Sequence, residues 1–302
     1  MPEAVVLLAN PAAGSGRGDR LGARAAKLLA SAGMRVETVV SRGPGHLAEA
    51  AANEAGRGRA RVIVLGGDGT LSEVARGLLE VPGAPTILGI VPLGTGNDFI
   101  KSAGLPRDWR RACALLAGGC TARRVDAGRV NGRWFINAVG LGFDAAIAHA
   151  TAGHKWLPGA LGYAAGLVGA LYAGIGDPVC TLRWEDADGN GGEDRRAVTL
   201  VAACNGRYAG GLFHLAPQAE LDDGCLDLVW ADALGRFQVL RHAPSVMRGT
   251  HGRLPIAHQA RARRLEVTSD RPVPAQADGE LLGLEVERLE IEVAAGAIAL
   301  WT

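Results

Sequence analysis

The sequence has almost no net charge: 32 Lys and Arg residues stand against 31 Asp and Glu, a formal +1 over 302 residues. No global field draws it to nucleic acid, and no nucleic-acid partner is expected. Cysteine is scarce too. Cys113, Cys120, Cys180, Cys204 and Cys225 are scattered and odd in number, with no C-x-x-C pair, which argues against a disulfide framework and a zinc site and fits a reducing cytoplasm. The opening MPEAVVLLANPAAG lacks the basic segment and long apolar core of a signal peptide. The longest uncharged apolar run, residues 159 to 175, has 17 residues, against the roughly 20 that span a bilayer. Its glycines suit a buried or interfacial helix better than a membrane span. The seven histidines show no ligand spacing, and His149 and His154 are expected on or near a helix surface. The Walker pattern G-x-x-x-x-G-K-[ST] is absent, as is G-x-G-x-x-G in the first strand-to-helix turn, so this is not a P-loop enzyme.

Glycine, by contrast, is plentiful, at 44 residues about twice the usual share of about 7%. Much of it sits in short loops, where it permits close approach of backbone to a ligand. The first third alternates strand and helix: AVVLLA, then a helix from about Asp19 to Ala32 with Leu21, Ala25, Leu28, Leu29 and Ala32 on one face, then MRVETVVS, HLAEAAANEA, RVIVLGG, LSEVARGLL and PTILGIVP. Thr70 followed by Glu73 is a candidate capping box. Such alternation predicts an α/β domain with a mostly parallel sheet over residues 1–122, with 288–302 as its candidate completion, and with ligands at the carboxyl ends of its strands. After about residue 122 the pattern changes. A hairpin is expected around Asn131-Gly132 and a second over 179–205 with a polar tip. CLDLVWA, RRLEVTS and ERLEIEV read as strands, and helices are expected near 155–175 and 235–249. Residues 123–287 are therefore expected to form a mostly antiparallel, β-sandwich-like domain.

Four glycine-containing segments follow the strands of the first domain: NPAAGSGRG (10–18), SRGPG (41–45), GGDGT (66–70) and PLGTGND (92–98). Backbone N–H groups exposed by glycine at helix N-termini are what polyphosphate binding needs; singly, each loop is also an ordinary strand-to-helix turn. Asp68 inside GGDG would repel phosphate unless a cation or a ribose hydroxyl intervenes. Magnesium is the economical reading, since it takes one or two carboxylates and keeps several waters; a cap on the following helix is the alternative.

NPAAG, GGDGTLSEVARGL and VPLGTGNDFIKSAGLP, followed by FINAVGLGFDA (135–145), NGRYAGGLFHLAPQAELDDGCLDL (205–228) and QADGE (276–280), resemble the diacylglycerol kinase catalytic domain, and specifically the soluble bacterial lipid kinases of that family. The resemblance implies nucleotide loops at Asn10, Pro11 and Gly14 and at Gly66, Gly67, Asp68, Gly69, Thr70 and Ser72, with hydroxyl contacts from Ser41 and Thr95 and a polar network joining Asn97 and Asp98 to Asp68. It implies a structural magnesium on the Asp223 carboxylate and the main-chain oxygens of Glu220 and Cys225, and catalytic acids at Asp278 and Glu280, with Asp68 beside the phosphates. Ser41 stands where the family usually has Thr, and Ala13 where a hydroxyl residue is common; Arg17 is a candidate substitute donor.

From the residues alone, Asp278-Gly279 is a hairpin turn and Asp222-Asp223-Gly224 is either a solvated turn or a hard-cation site. The expected activity is ATP- and Mg²⁺-dependent transfer of a γ-phosphoryl group to the hydroxyl of diacylglycerol or a related lipid, in a cleft between the domains, with Asp278 or Glu280 taking the hydroxyl proton. An NAD kinase, a sphingoid-base kinase and a catalytically silent nucleotide- or lipid-binding regulator are the rivals. NAD kinases carry Asn-Glu where Asn137 is followed here by Ala138. The acceptor comes from a membrane, so reversible peripheral binding of a cytoplasmic protein is expected, and a homodimer is a candidate assembly. Residues 157–175 are the candidate lipid-facing wall, tested at Leu167 and Leu171, with core packing as the alternative. The clusters RGRAR, RDWRR and RARR are solvated faces or contacts for anionic headgroups.

Overall fold

The computed structural model describes residues 4–119, 121–152, 159–174 and 176–302, with 152, 159–164 and 173 described by backbone alone. Cys120 and His154 lie outside the described residues; Cys113, Cys180, Cys204 and Cys225 are free and buried. The chain forms two compact units, Met1–Val125 with Gly296–Thr302, and Asp126–Ala295.

The first unit contains β1 (Val5–Ala9), the short turn α1 (Ala13–Gly16), α2 (Gly18–Ser31), β2 (Val36–Val40), α3 (His46–Gly56), β3 (Arg61–Gly66), α4 (Asp68–Leu79), β4 (Ile87–Pro92), α5 (Asp98–Ala103) and α6 (Trp109–Ala117). β2, β1, β3 and β4 lie side by side, every pair parallel. The runs VVLLA, RVIVLG and ILGIVP are buried along nearly their whole lengths, as strands covered on both faces must be. β2, at the edge, carries Glu37 and Thr38 among its valines and stays half-exposed. The carboxyl end of the chain adds a fifth parallel strand: Ala299 and Leu300 pair with Ile87 and Leu88. Trp301 then drops into the core beside Leu7, Ile63 and Leu65, and its indole N–H donates to the Gly119 carbonyl at 3.0 Å. Gly89 lies in the same crowded core: a methyl there would stand 2.8 Å from Leu116 Cδ2, 3.1 Å from Ile63 Cγ1 and 3.3 Å from the Trp301 ring.

Two local expectations are corrected. The face of α2 buries Gly22, Ala25 and Leu29, while Leu28 is exposed. The capping box does not form: Gly67 caps α4 without a side-chain bond, Glu73 instead accepts the N–H of Leu47, and the Thr70 hydroxyl accepts from Asn10. Tertiary partners outbid the local ones.

The second unit takes in most of β5 (Ala122–Val130), then β6 (Arg133–Phe135), β7 (Ala138–Gly142), α7 (Phe143–Ala152), α8 (Gly159–Ala173), β8 (Val179–Glu185), β9 (Gly191–Cys204), β10 (Leu226–Asp232), α9 (Arg236–Met247), a 3₁₀ turn (His251–Arg253), β11 (Ala257–Ala262), β12 (Arg264–Ala277) and most of β13 (Glu280–Trp301). Its strands run in the order β11-β10-β9-β7-β12-β13, all antiparallel, with β8 pairing both β12 and β9. Asn131 and Gly132 join β5 to β6 with φ of 47° and 81°, the left-handed pair that a two-residue hairpin requires. The core is built from alternate residues of these strands, including Leu182, Val201, Leu228, Trp230, Leu265 and Ile291.

Candidate active site

In the first unit the loop after β3 meets the loop after β4. Gly67 and Gly94 touch through their backbones, and a methyl on Gly94 would stand 2.7 Å from the Gly67 Cα. Only glycine permits that approach. Asp68, the first residue of α4, does not cap its own helix: its Oδ1 accepts the N–H of Asp98 at 2.7 Å, tying the GGDGT loop to GTGND. Withdrawal from water, with the nearby Asp98 charge adding, raises the Asp68 pKa to about 6. Asp98 is itself paired with Lys101 at 2.9 Å. Asn97, at φ 51°, donates to the Gly94 carbonyl, while its buried Oδ1 lacks a hydrogen-bond partner. Thr95 is exposed at the tip.

The first loop joins the same cluster. The side-chain N–H of Asn10 donates to Thr70 Oγ1 at 2.8 Å, and Asn10 Oδ1 accepts the N–H of Ala12. Gly14 has φ 61° and packs 3.3 Å from the Leu93 carbonyl, measured from an added Cβ. Arg17 folds its Nε onto the Gly14 carbonyl at 2.8 Å. Pro11 lines a hollow with Asp19, Gly22 and Val40. Gly66 and Ser72 are buried and Gly69 is exposed. Ser41 is occupied locally, its hydroxyl donating to the Gly43 carbonyl at 3.1 Å. The structure therefore brings Asn10, Gly14, Gly66 to Thr70, Gly94 and Asp98 into one cluster of touching loops at the carboxyl ends of β1, β3 and β4, where the first-turn amides of α4 have no partners inside the helix.

In the second unit Asp278 and Gly279 form the two-residue turn between β12 and β13, with φ of 51° and 80°. The Asp278 carboxylate is an anchor. Its Oδ2 accepts the N–H of Ile136 at 2.9 Å, and its Oδ1 accepts those of Asn137 and Ala138 at 2.8 and 3.1 Å. A second bond set holds the same turn: Gly279 donates to Gln276 Oε1 at 2.7 Å, and Gln276 Nε2 donates to the Asp144 carboxyl at 2.6 Å. Burial raises the Asp144 pKa, with the Gln276 hydrogen bond opposing. Glu280, next in the chain, is paired with Arg133.

Comparison with known proteins now decides the family. The diacylglycerol kinase catalytic domain matches residues 4–130, and the YegS C-terminal NAD kinase beta sandwich-like domain matches residues 137–302, more than half of the chain. A probable lipid kinase YegS-like protein of Pseudomonas aeruginosa is 35% identical over 252 residues, covering 80% of this chain and 76% of its own. The chain belongs to the diacylglycerol kinase-like lipid kinase family. The diacylglycerol kinase of Bacillus subtilis is 31% identical over 228 residues, 74% of this chain and 72% of its own. A diacylglycerol kinase crystal structure from Bacillus anthracis shares the fold, with a TM-score of 0.77 at 23% identity and coverage of 99% and 96%.

The turn at residues 222–224, where the resemblance implies a magnesium, has a more crowded carboxylate than its sequence suggests. Asp223 Oδ1 accepts the N–H of Cys225 at 2.9 Å, and its Oδ2 is paired with Arg261. Asp126 holds the same turn by accepting the N–H of Gly224 at 2.7 Å. Among the described residues no three or more His, Cys, Asp or Glu side chains converge as a cage. The donor set still fits a hard cation bound by one carboxylate and carbonyls, because the buried Asp227 Oδ2 has no hydrogen-bond partner. Burial raises the Asp227 pKa to about 6, with Arg261 opposing and Asp223 and Glu220 adding. A cation bound by Asp223 would have to displace the Arg261 guanidinium from it.

Sequence reasoning missed Lys101, Asp126, Arg133, Asp144, Arg261 and Gln276. Lys101 could have been found three residues after Asp98, on one helix face. The others lie near their partners only through folding.

Proposed function

We propose that this protein is an ATP- and Mg²⁺-dependent lipid kinase that transfers the γ-phosphoryl group of ATP to a hydroxyl of diacylglycerol or a related lipid, acting peripherally at a membrane surface. The observation that carries the reading is the contact between the two glycine loops, with Gly67 against Gly94 and Asp68 bonded to the Asp98 amide. Main-chain amides at the start of α4 would hold the triphosphate, and Asn10, Thr70 and Asn97 would orient it. Magnesium, when bound, would neutralise phosphate oxygens beside Asp68 and order the Asp223 turn.

The three acids take different parts. Asp278 has committed its carboxylate to three amides, so it positions the turn. Asp68, with its pKa raised to about 6, is ionised at neutral pH yet basic enough to accept a proton there. In this reading it takes the lipid hydroxyl proton as that oxygen bonds to the γ-phosphorus and the bond to the ADP oxygen breaks. Glu280, held by Arg133, is the second acid of the β12–β13 turn.

The test is incubation with γ-labelled ATP, Mg²⁺ and, in separate reactions, diacylglycerol, a sphingoid base and NAD. Label in diacylglycerol supports the reading. Label in NAD alone, or nucleotide binding without turnover, replaces it.

A further inference from the structure

In a two-residue hairpin turn such as the one between β12 and β13, the amide of the second residue has no partner within the hairpin. Here that amide belongs to Gly279. It donates to Gln276 Oε1 at 2.7 Å, on a side chain whose residue is only 6% exposed. A carboxamide carries its acceptor at one end and its donors at the other. With the oxygen committed to Gly279, Gln276 must present Nε2 to an acceptor elsewhere.

That acceptor is Asp144 Oδ2, at 2.6 Å, in the first turn of α7. A carboxyl group keeps an oxygen able to accept in either protonation state, so Asp144 holds the amide the right way round. The sequence leaves room for the meeting. Gly140 stands directly opposite Gln276 on β7, and a methyl there would collide with Asp144 Oδ2 and stand 2.9 Å from Gln276 Nε2. Gly142, at φ 86°, then turns the chain from β7 into α7 and brings Asp144 back over the strand.

An acid withdrawn from water for one neutral partner is a poor stabiliser, and an apolar residue would fill the place at lower cost. What the acid supplies is direction. Arg133 holds the carboxylate of Glu280, and Asp278 fastens the turn to the start of β7. The Gln276 bond fixes the peptide that joins Asp278 to Gly279, one residue before Glu280.

We propose that Asp144 is a positioning residue for phosphoryl transfer: through the Gln276 carboxamide it locks the peptide between Asp278 and Gly279, and so the direction in which Glu280 leaves the turn. The inference rests on the lipid-kinase reading and adds to it a residue that acts only through its neighbours.

The experiment sets steady-state transfer from γ-labelled ATP to diacylglycerol in mixed micelles beside hydrogen exchange of the Gly279 amide, read by NMR on the full chain. Asp144→Ala removes the acceptor. Its kcat should fall roughly tenfold to a hundredfold, the scale of a small misplacement, and Gly279 should lose its protection. KM for ATP should stay unchanged, because the glycine loops belong to the first unit. Asp144→Asn keeps an acceptor oxygen and should keep both kcat and protection. Gln276→Glu sets two carboxyl groups against each other and should be slow. Asp144→Asn combined with Gln276→Glu again places an N–H against an acceptor, and should restore rate and protection together. If Asp144→Ala melts near the assay temperature, these same-sized variants carry the test, and their rescue is a result that packing alone would not give. Wild-type kcat in Gln276→Glu, or a double variant as slow as Gln276→Glu, overturns the inference and leaves the kinase reading standing. So does a change confined to the KM for ATP. A wild-type protein that transfers phosphate to no lipid, while Gly279 protection follows the variants as described, removes the kinase reading, and with it the reaction that Asp144 serves, and leaves the bond set intact.

Discussion

The N–H of Asn137 donates to Asp278 Oδ1 at 2.8 Å, across 141 residues of chain. The flanking amides of Ile136 and Ala138 do the same, so one carboxylate fixes the start of β7 against the β12–β13 turn. An acid placed this way acts first as a fastener.

Asp278→Asn should therefore cost both stability and activity. An amide places an N–H against a donor that now has an acceptor, leaving a buried group unsatisfied, and the expected loss is about 1–3 kcal/mol. Urea denaturation checks the first effect and phosphate transfer the second. Full stability with lost activity would return Asp278 to the role of base.

Asp68→Asn should separate in the opposite way. Transfer should fall by roughly 10²–10⁴, the scale of a lost general base, with a smaller loss of folding stability at neutral pH than Asp278→Asn shows, because the carboxamide oxygen can keep the Asp98 amide bond. In the wild type, kcat/KM should decline as pH falls through about 6, where Asp68 takes up its proton.

The same group gives a stability signature. A carboxylate whose folded pKa is raised binds its proton more tightly in the folded state, so stability falls as pH rises from about 4 to about 6. For Asp68 the fall is on the order of 3 kcal/mol. Asp227 acts in the same direction, while the lowered Asp232 opposes. The measurement is thus the difference between wild type and Asp68→Asn across pH 4 to 7, which should grow with pH in the variant's favour.

Magnesium should raise the melting temperature through the Asp223 turn, and Asp223→Asn should abolish the rise. A site at a hundredfold excess over its dissociation constant adds about 2.7 kcal/mol. Arg261→Met, which removes the competing guanidinium, should lower the magnesium concentration needed. Calorimetry with and without a chelator reads all three.

The parallel strands of the first unit were legible because uninterrupted apolar runs such as Arg61–Gly66 end at glycine turns. The hairpins were legible because Asn131-Gly132 and Asp278-Gly279 tolerate positive φ. What the sequence hid were bonds made only by folding. Arg261 on Asp223, Arg133 on Glu280 and Gln276 on Asp144 join residues 38 to 147 apart, and no local pattern announces them. The direction of α8 was hidden for another reason: a helix apolar all round has no face to read, so Leu171 inward and Tyr172 outward could not be told apart.

A crystal structure with ADP and magnesium tests the central claim most directly. The account predicts the phosphates on the amides of the Gly66–Thr70 loop, beside Gly94 and within reach of Asn10 and Asn97. Nucleotide bound elsewhere, with the Gly67–Gly94 contact untouched, would contradict it.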